Sequence, residues 1–225
     1  MEQCTLYNNN IIFAGVRDNF IYLTNAYKGD SISKVSAKSP IILSNTKDNN
    51  LYYLENDGRG NYELKMLESL ENQTVSNPRI VKTLKGPRGA AEICVAVKNG
   101  NEIILGGKNG NIYKIDADPS ITSSNITQIT DNTYSKIYDI CASNSDFYFL
   151  TKNAIFKSSY DTGVVDKLAS TNNQTNILQV SDDEVVLYSA YTKNPVVLKN
   201  LKFDYIILAD VLEHVVVPGE VLYNF

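Results

Sequence analysis

Short apolar runs that follow polar turn residues recur along the chain. Each run is entered through Asp, Asn or Ser and then holds three or four apolar or aromatic residues, ending in Leu. Five copies occur, at 18–23, 49–54, 101–105, 145–150 and 182–187. Asn and Asp accept the backbone angles of tight turns, and β-branched and aromatic side chains favour strands. The pattern therefore predicts five β-strands, each following a turn.

A second apolar run precedes each copy at a nearly constant distance. These runs lie at 11–13, 41–43, 93–95, 138–140 and 176–178. Two short strand-forming runs joined by polar turn residues predict an antiparallel hairpin. Several copies continue through another turn into a third strand, as at 109–115 and 153–157 and, more loosely, at 60–65.

The spacing of the copies indicates how the hairpins assemble. The terminal leucines lie 31, 51, 45 and 37 residues apart, which brackets the roughly 40 to 50 residues of a four-stranded propeller blade. Such a unit has an apolar face that it buries only against another copy. We therefore predict an all-β chain with about five propeller-like blades of antiparallel strands over residues 4–200. The pattern ends at Leu198, so either a strand from the N-terminus closes the ring or the chain is part of a larger propeller.

Composition and charge narrow the possible partners and location. The formal net charge is −4 and the pI is about 5.1, whereas a phosphate-binding surface needs clustered Lys and Arg. We therefore expect no nucleic-acid partner. No apolar stretch is long enough to span a bilayer, so we expect no membrane association. The first residues do not resemble a secretory signal, which predicts a cytoplasmic protein, or an extracellular one if a signal was removed.

Residues with reactive side chains are scattered. Cys4, Cys94 and Cys141 are far apart, and we interpret them as buried small hydrophobic residues rather than metal ligands. Acidic residues gather at two predicted turns, where they commonly solvate the backbone, so we predict no metal site. These acidic residues are Asp116, Asp118 and Asp131 in one group and Asp182, Asp183 and Glu184 in the other. Tyrosines at strand ends either line a recognition face or pack as aromatic pairs; they are Tyr27, Tyr134, Tyr160 and Tyr191.

The segment from Leu201 has a different character. Residues 201–222 read LKFDYIILADVLEHVVVPGEVL, which resembles the fourth-strand region of class I S-adenosylmethionine-dependent methyltransferases. The resemblance implies a short α/β-type fragment over residues 201–225, with a buried parallel strand at 205–209. It also implies that Asp210 and Glu213 lie beside the cofactor and that His214, the only histidine, is the catalytic general base or a substrate contact.

Other parts of that family's pattern have only weak counterparts here. The family holds its cofactor with a glycine-rich turn and a downstream acidic residue, and the nearest match is the GGKNG run at 106–110, followed by Asp116 and Asp118. That run falls in register with the repeat, where it predicts an ordinary turn into the third strand. Residues 204–208 also fit the repeat, with a hairpin bending at Pro218 and Gly219 after them. We therefore expect no cofactor for the chain as given.

Two functional hypotheses follow. The first is a non-catalytic β-propeller module for binding or scaffolding, fused to a methyltransferase remnant, with a protein or small-molecule ligand on one propeller face. The alternative is S-adenosylmethionine-dependent methyl transfer by a parent protein of which this chain holds an incomplete part.

Overall fold

Every regular element in the described part of the protein is a β-strand, which confirms the predicted all-β class. The computed structural model describes residues 3–7, 10–15, 19–25, 32–44, 50–68, 78–86, 93–116, 123–130, 134–143, 145–160, 163–180, 184–189, 195–199 and 203–205. Within these residues no helix is long and apolar enough to cross a membrane. The chain divides into two compact units, residues 1–137 and 138–225.

The first sheet of unit 1 is a four-stranded antiparallel meander in chain order. Its turn into β3 uses the repeat's Asn as predicted, because Asn19 has a left-handed backbone with φ of 59°. The carbonyl of Asn19 accepts a hydrogen bond from Ala37 N at 2.8 Å, and its Oδ1 accepts one from Ser39 N at 3.2 Å. The strands are β1 (Gln3–Tyr7), β2 (Asn10–Gly15), β3 (Phe20–Asn25) and β4 (Ile32–Ser36).

The other two sheets of unit 1 join into one nine-stranded sheet. The first half contains β5 (Ile41–Ser44), β6 (Asn50–Asn56), β7 (Tyr62–Glu68) and β8 (Arg79–Lys85). The second half contains β9 (Ile93–Asn99), β10 (Glu102–Gly107), β11 (Ile112–Asp116) and β13 (Thr127–Gln128).

Two parallel pairings connect these halves. The first strands β5 and β9 run side by side, with Leu43 opposite Ala96. The extra strand β12 (Ser123–Asn125) leaves the second half and pairs with the outer strand β8, with Ser123 opposite Thr83. The repeat pattern did not predict β12, because a three-residue polar strand has no hydrophobic periodicity to detect.

Unit 2 contains two further four-stranded antiparallel sheets. The first consists of β14 (Asp139–Ala142), β15 (Asp146–Leu150), β16 (Ala154–Ser159) and β17 (Val165–Ser170). The second consists of β18 (Asn176–Val180), β19 (Glu184–Tyr188), β20 (Pro195–Lys199) and β21 (Phe203–Tyr205). The hydrophobic pattern ended at Leu198, yet the sheet gains its fourth strand from the three residues of β21, where Tyr205 lies opposite Val197.

Burial on both faces explains why the repeated runs are continuously apolar rather than alternating. In β6, Leu51 and Tyr53 pack into a cluster with residues of the first sheet, such as Ile21. Their neighbours Tyr52 and Leu54 point to the opposite face and pack into a second cluster with β9, β10 and β11. Fully burying one such side chain contributes about 1.5–3 kcal/mol, so β6 is stabilised from both of its faces.

Unit 2 has its own core. Tyr148 and Leu150 of β15 pack with Val185 and Leu187 of β19, and all four are almost completely buried. On the other face of β15, Phe149 stacks on Phe156 of β16 with ring centroids 4.9 Å apart. Each compact unit thus buries apolar runs that the sequence pattern identified, such as 51–54 in unit 1 and 147–150 in unit 2.

Candidate functional site

The turn between β6 and β7 is a rigid, exposed loop. Asp57 Oδ1 accepts hydrogen bonds from Arg59 N at 2.6 Å and Asn61 N at 3.1 Å, and Asp57 Oδ2 accepts one from Asn61 Nδ2 at 3.0 Å. Gly58 and Gly60 supply the left-handed φ angles of 80° and 91°. The hydrogen bond from the Asn61 side chain, followed by that from Arg59 N, lowers the pKa of Asp57. The turn is therefore held by an ionised carboxylate.

The turn between β10 and β11 is built in a similar way from amide side chains. Asn109 Oδ1 accepts a hydrogen bond from Asn111 N at 3.2 Å, and Asn109 Nδ2 donates to Tyr113 Oη at 2.9 Å. Gly110 has a φ of 86°. This is the GGKNG run at 106–110, the nearest match to a glycine-rich cofactor turn, and it forms the hairpin turn that the repeat predicts.

Hydrogen bonds from the segments at 85–86 and 125–128 connect these two turns into one surface. Gly86 N donates to Asn61 Oδ1 at 3.4 Å, and Ile126 N donates to Lys85 O at 3.1 Å. Asn111 Nδ2 donates to Gln128 Oε1 at 3.1 Å. We call the surface formed by residues 57–61, 108–111, 125–128 and 134–136 the turn face.

The segment 134–136 lies directly against the second turn. Tyr134 N donates to Gly110 O at 3.1 Å, and Ile137 N donates to Gly107 O at 3.3 Å. A Cβ atom added to Gly110 would lie 1.7 Å from the carbonyl oxygen of Tyr134. Glycine at position 110 is therefore needed both for its backbone angle and for this close approach.

A cluster of charged side chains lies near the β6–β7 turn. Lys65 Nζ is 2.8 Å from Glu55 Oε2 and 3.2 Å from Glu63 Oε2. Burial alone would lower the pKa of Lys65, but the hydrogen bonds and charges of the two glutamates outweigh it and raise that pKa. A lysine held protonated in this way is a poor nucleophile, so the cluster is suited to joining strands.

Tyr53 lies beside this cluster and is completely buried. Its pKa is raised, first by burial and then by the charges of Glu55 and Glu63. Within the described residues its hydroxyl has no hydrogen-bond partner. The phenol therefore stays protonated at neutral pH.

Asp139 is the carboxyl group with the largest change in acidity among the described residues. Burial raises its pKa from 3.8 to about 7, although its oxygens accept hydrogen bonds from Ile177 N at 2.8 Å and Ile140 N at 2.9 Å. The hydrogen bond from Ile177 N connects β14 to β18, the first strands of the two sheets in unit 2. A perturbed pKa often marks a functional site, but here both oxygens are occupied by backbone donors. The only sequence signal for this group is a single acid inside the apolar run at 138–140.

The site residues implied by the methyltransferase resemblance are not brought together in the described structure. Asp210, Glu213 and His214 lie outside the described residues. Of the predicted parallel strand at 205–209, only Tyr205 is described, and it lies in the antiparallel strand β21.

The remaining candidate residues are mostly structural where they are described. Cys141 is buried as predicted, and Cys94 is half-buried with Sγ donating to Ile137 O at 3.2 Å. Tyr134 and Tyr160 are half-buried rather than exposed, and the ring of Tyr160 packs on Phe147 at 5.6 Å. Asp116 ends β11 and Glu184 begins β19. Outside the described residues lie Cys4's side chain, Tyr27, Asp118, Asp131, Asp182, Asp183 and Tyr191.

Among the side chains the structure describes, no three His, Cys, Asp or Glu residues come together as metal ligands would. Two of the described lysine and acid pairs instead join neighbouring strands in the same way. Lys114 contacts Glu102, and Lys157 lies 3.0 Å from Asp146. In both pairs the lysine is on the third strand of its sheet and the acid begins the second strand, so the pairing recurs with the repeat.

Comparison with known proteins is informative at the level of fold. Neither a family model nor a curated protein matches the chain. Among solved structures, it is similar to the computationally designed Ika8 protein, with a TM-score of 0.53, 17% identity, and coverage of 90% of this chain and 60% of that one. It is also similar to the WD40 β-propeller domain of Doa1, with a TM-score of 0.55, 11% identity, and coverage of 90% and 66%.

The chain thus spans about two thirds or less of the length of these two structures. At such low identity the likeness concerns the fold alone. Together with the repeated antiparallel sheets, it shows that this chain has a β-propeller-like fold.

Proposed function

We propose that the chain is a non-catalytic β-propeller module that binds a protein partner through the turn face. The fold supports this proposal, because propellers present the turns between their strands on the ends of a packed core. A small-molecule ligand on the same face is the other occupant compatible with the fold. The partner would recognise turn residues rather than the buried strands.

The observation that carries the proposal is the preorganisation of the turn face. Its turns are fixed by the Asp57 carboxylate and by the amide side chains of Asn109 and Asn111. Between these anchors, Arg59, Lys108 and Thr127 are exposed. A surface that is already ordered loses little conformational entropy on binding, so more of the contact energy remains as affinity.

Charged groups elsewhere in the described structure are paired with groups of the sheets, which supports a structural rather than a catalytic role for them. Lys65 is held by two glutamates, Lys157 by Asp146, and Asp139 by two backbone N–H groups. A catalytic site requires acids or bases with a free atom aimed at a substrate. In these three places the polar atoms contact groups of the sheets themselves.

Site-specific photocrosslinking in the native cell tests this function. We expect a benzoylphenylalanine side chain at position 59 of the turn face to crosslink a discrete protein that also copurifies with the unmodified chain. The matched control is the same side chain at position 79, an exposed residue at the far end of β8. No crosslinked partner at position 59, or the same products at both positions, would reject the proposed function.

A second candidate rests on the resemblance at 201–222. In that case the parent protein transfers a methyl group from S-adenosylmethionine, with Asp210 and Glu213 near the cofactor and His214 as general base. Calorimetric titration of the chain with S-adenosylmethionine distinguishes the two. Heat of binding that disappears in Asp210→Ala would favour the enzyme, and the absence of heat up to about 1 mM cofactor would reject it for this chain.

A further inference from the structure

Five exposed cations of unit 1 lie on or beside the turn face. Arg59 lies within the β6–β7 turn, and Lys38 reaches the same turn, because a Cβ on Gly58 would be 2.7 Å from Lys38 Nζ. Lys85 ends β8 next to Gly86, which packs so closely on this turn that a Cβ there would lie 1.6 Å from Gly60 O. These three residues are exposed and lie in or beside one loop.

Two more exposed cations lie at the neighbouring turn. Lys108 belongs to the β10–β11 turn, and Lys136 lies in the segment that hydrogen-bonds to Gly107 and Gly110. The segment 125–128 connects the two groups, since Ile126 N bonds to Lys85 O and Gln128 Oε1 accepts from Asn111. The five cations therefore belong to one continuous surface.

The exposed charges described on this surface are mainly positive, whereas the net charge of the whole chain is negative. The formal net charge is −4, yet the exposed charges described on the turns themselves are cationic apart from Asp57. The Asp57 carboxylate accepts three hydrogen bonds within its own turn, which partly neutralise its field. Glu55 and Glu63 behind the turn share Lys65. A local field of this kind attracts and orients a negatively charged partner over a distance of about 10 Å at 0.1 M salt.

We propose that the turn face docks an acidic, extended segment of a partner protein, with Lys38, Arg59, Lys85, Lys108 and Lys136 contacting its carboxylates. This inference rests on the proposed protein-binding function and names the chemistry of the partner. The segment that connects the two groups of cations also carries the exposed residue Thr127, whose hydroxyl suits the amides of a peptide backbone. A nucleic acid would place an unbroken row of phosphates against a chain of net negative charge, which is a less complementary match.

Binding of a labelled decaglutamate peptide, followed by fluorescence anisotropy, tests the proposal. We expect saturable binding that weakens steeply between about 0.05 M and 0.5 M salt. The triple variant Lys38→Glu, Arg59→Glu and Lys85→Glu should weaken binding at least tenfold. The matched control, Lys34→Glu, Arg79→Glu and Lys167→Glu, reverses three exposed cations that are not among the five proposed contacts and should leave binding within twofold of the unmodified chain.

Several outcomes would overturn the inference. Equal loss in both triple variants would indicate a response to net charge, and the absence of peptide binding would remove the acidic partner. Equal or tighter binding of a single-stranded oligothymidylate would assign the surface to nucleic acid instead. These failures can be distinguished from failure of the proposed function. If a partner crosslinks at position 59 and its binding does not change with salt or in either triple variant, the protein-binding function stands and only the acidic segment is rejected.

Discussion

Single residues in this protein show where sequence chemistry and structure agree. Asn19 and Gly110 are turn residues of the repeat, and both have the left-handed backbone that the pattern predicted. The need for glycine at position 110 goes further, because the backbone of Tyr134 approaches it from a distant part of the chain. That approach could not be predicted, since nothing in the local pattern at 106–110 indicates what packs against the turn.

Replacing Gly110 separates these two requirements. We expect Gly110→Ala to destabilise the protein by about 3 kcal/mol or more, because the new Cβ adds a backbone clash to the strain of a positive φ. The matched control Gly100→Ala, with a φ of 58° and open space around it, should cost only about 1 kcal/mol. Urea unfolding measures both, and equal losses would show that the contact with Tyr134 is unimportant.

Elements that combine apolar runs with turn residues were the most predictable. The strands β6, β10, β15 and β19 coincide with the repeated runs, because burial on both faces requires an uninterrupted series of large apolar side chains. The parallel strand β12 and the outer strand β21 were missed. Both are three residues long, and their place is set by the backbone of a neighbouring strand rather than by their own side chains.

The carboxylate that connects β14 and β18 makes stability depend on pH. The folded pKa of Asp139 is about 7, above the value near 3.9 of an unfolded chain, so the folded state binds a proton that the unfolded state releases. This contribution to stability is full below pH 4 and declines as the pH rises to about 7.

Chemical unfolding at several pH values tests this element. We expect the decline in the free energy of unfolding between pH 4 and 7 to be smaller in Asp139→Asn than in the unmodified chain, because an amide side chain does not titrate. The substitution also places an N–H₂ group opposite one of two backbone donors, so we expect the variant to be less stable than the unmodified chain at pH 4. Identical pH profiles for the two proteins would mean that Asp139 titrates normally.

At the scale of the whole molecule, the all-β class and the repeated sheets followed from the sequence, whereas the turn face did not. The cations on and beside it are Lys38, Arg59, Lys85, Lys108 and Lys136, most of which are far apart in sequence and single among polar residues. Only the pairing of strands brings their turns to one surface. The overall charge of −4 pointed away from such a surface, because a sum over residues contains no information about position.

Separate cores in the two compact units predict separate responses to damage. Leu64 of unit 1 and Leu150 of unit 2 are both completely buried, and truncating either to alanine should cost about 2–5 kcal/mol. We expect Leu64→Ala to lower hydrogen-exchange protection chiefly in β6–β11, and Leu150→Ala chiefly in β14–β19. Uniform loss of protection along the chain in both variants would show that the units open together.

The parallel pairing of β12 with β8 has a consequence for behaviour at high concentration. An outer strand with unpaired amides is a template on which other chains assemble into aggregates. In this protein β12 pairs with the outer strand β8 at Thr83–Lys85 and so covers that part of its edge. The outer strand β17 is protected from edge-to-edge aggregation in a different way, by a bulge at Leu168 next to the exposed charges of Asp166 and Lys167. We therefore expect deletion of β12 to lower the solubility of the protein more than its folding stability.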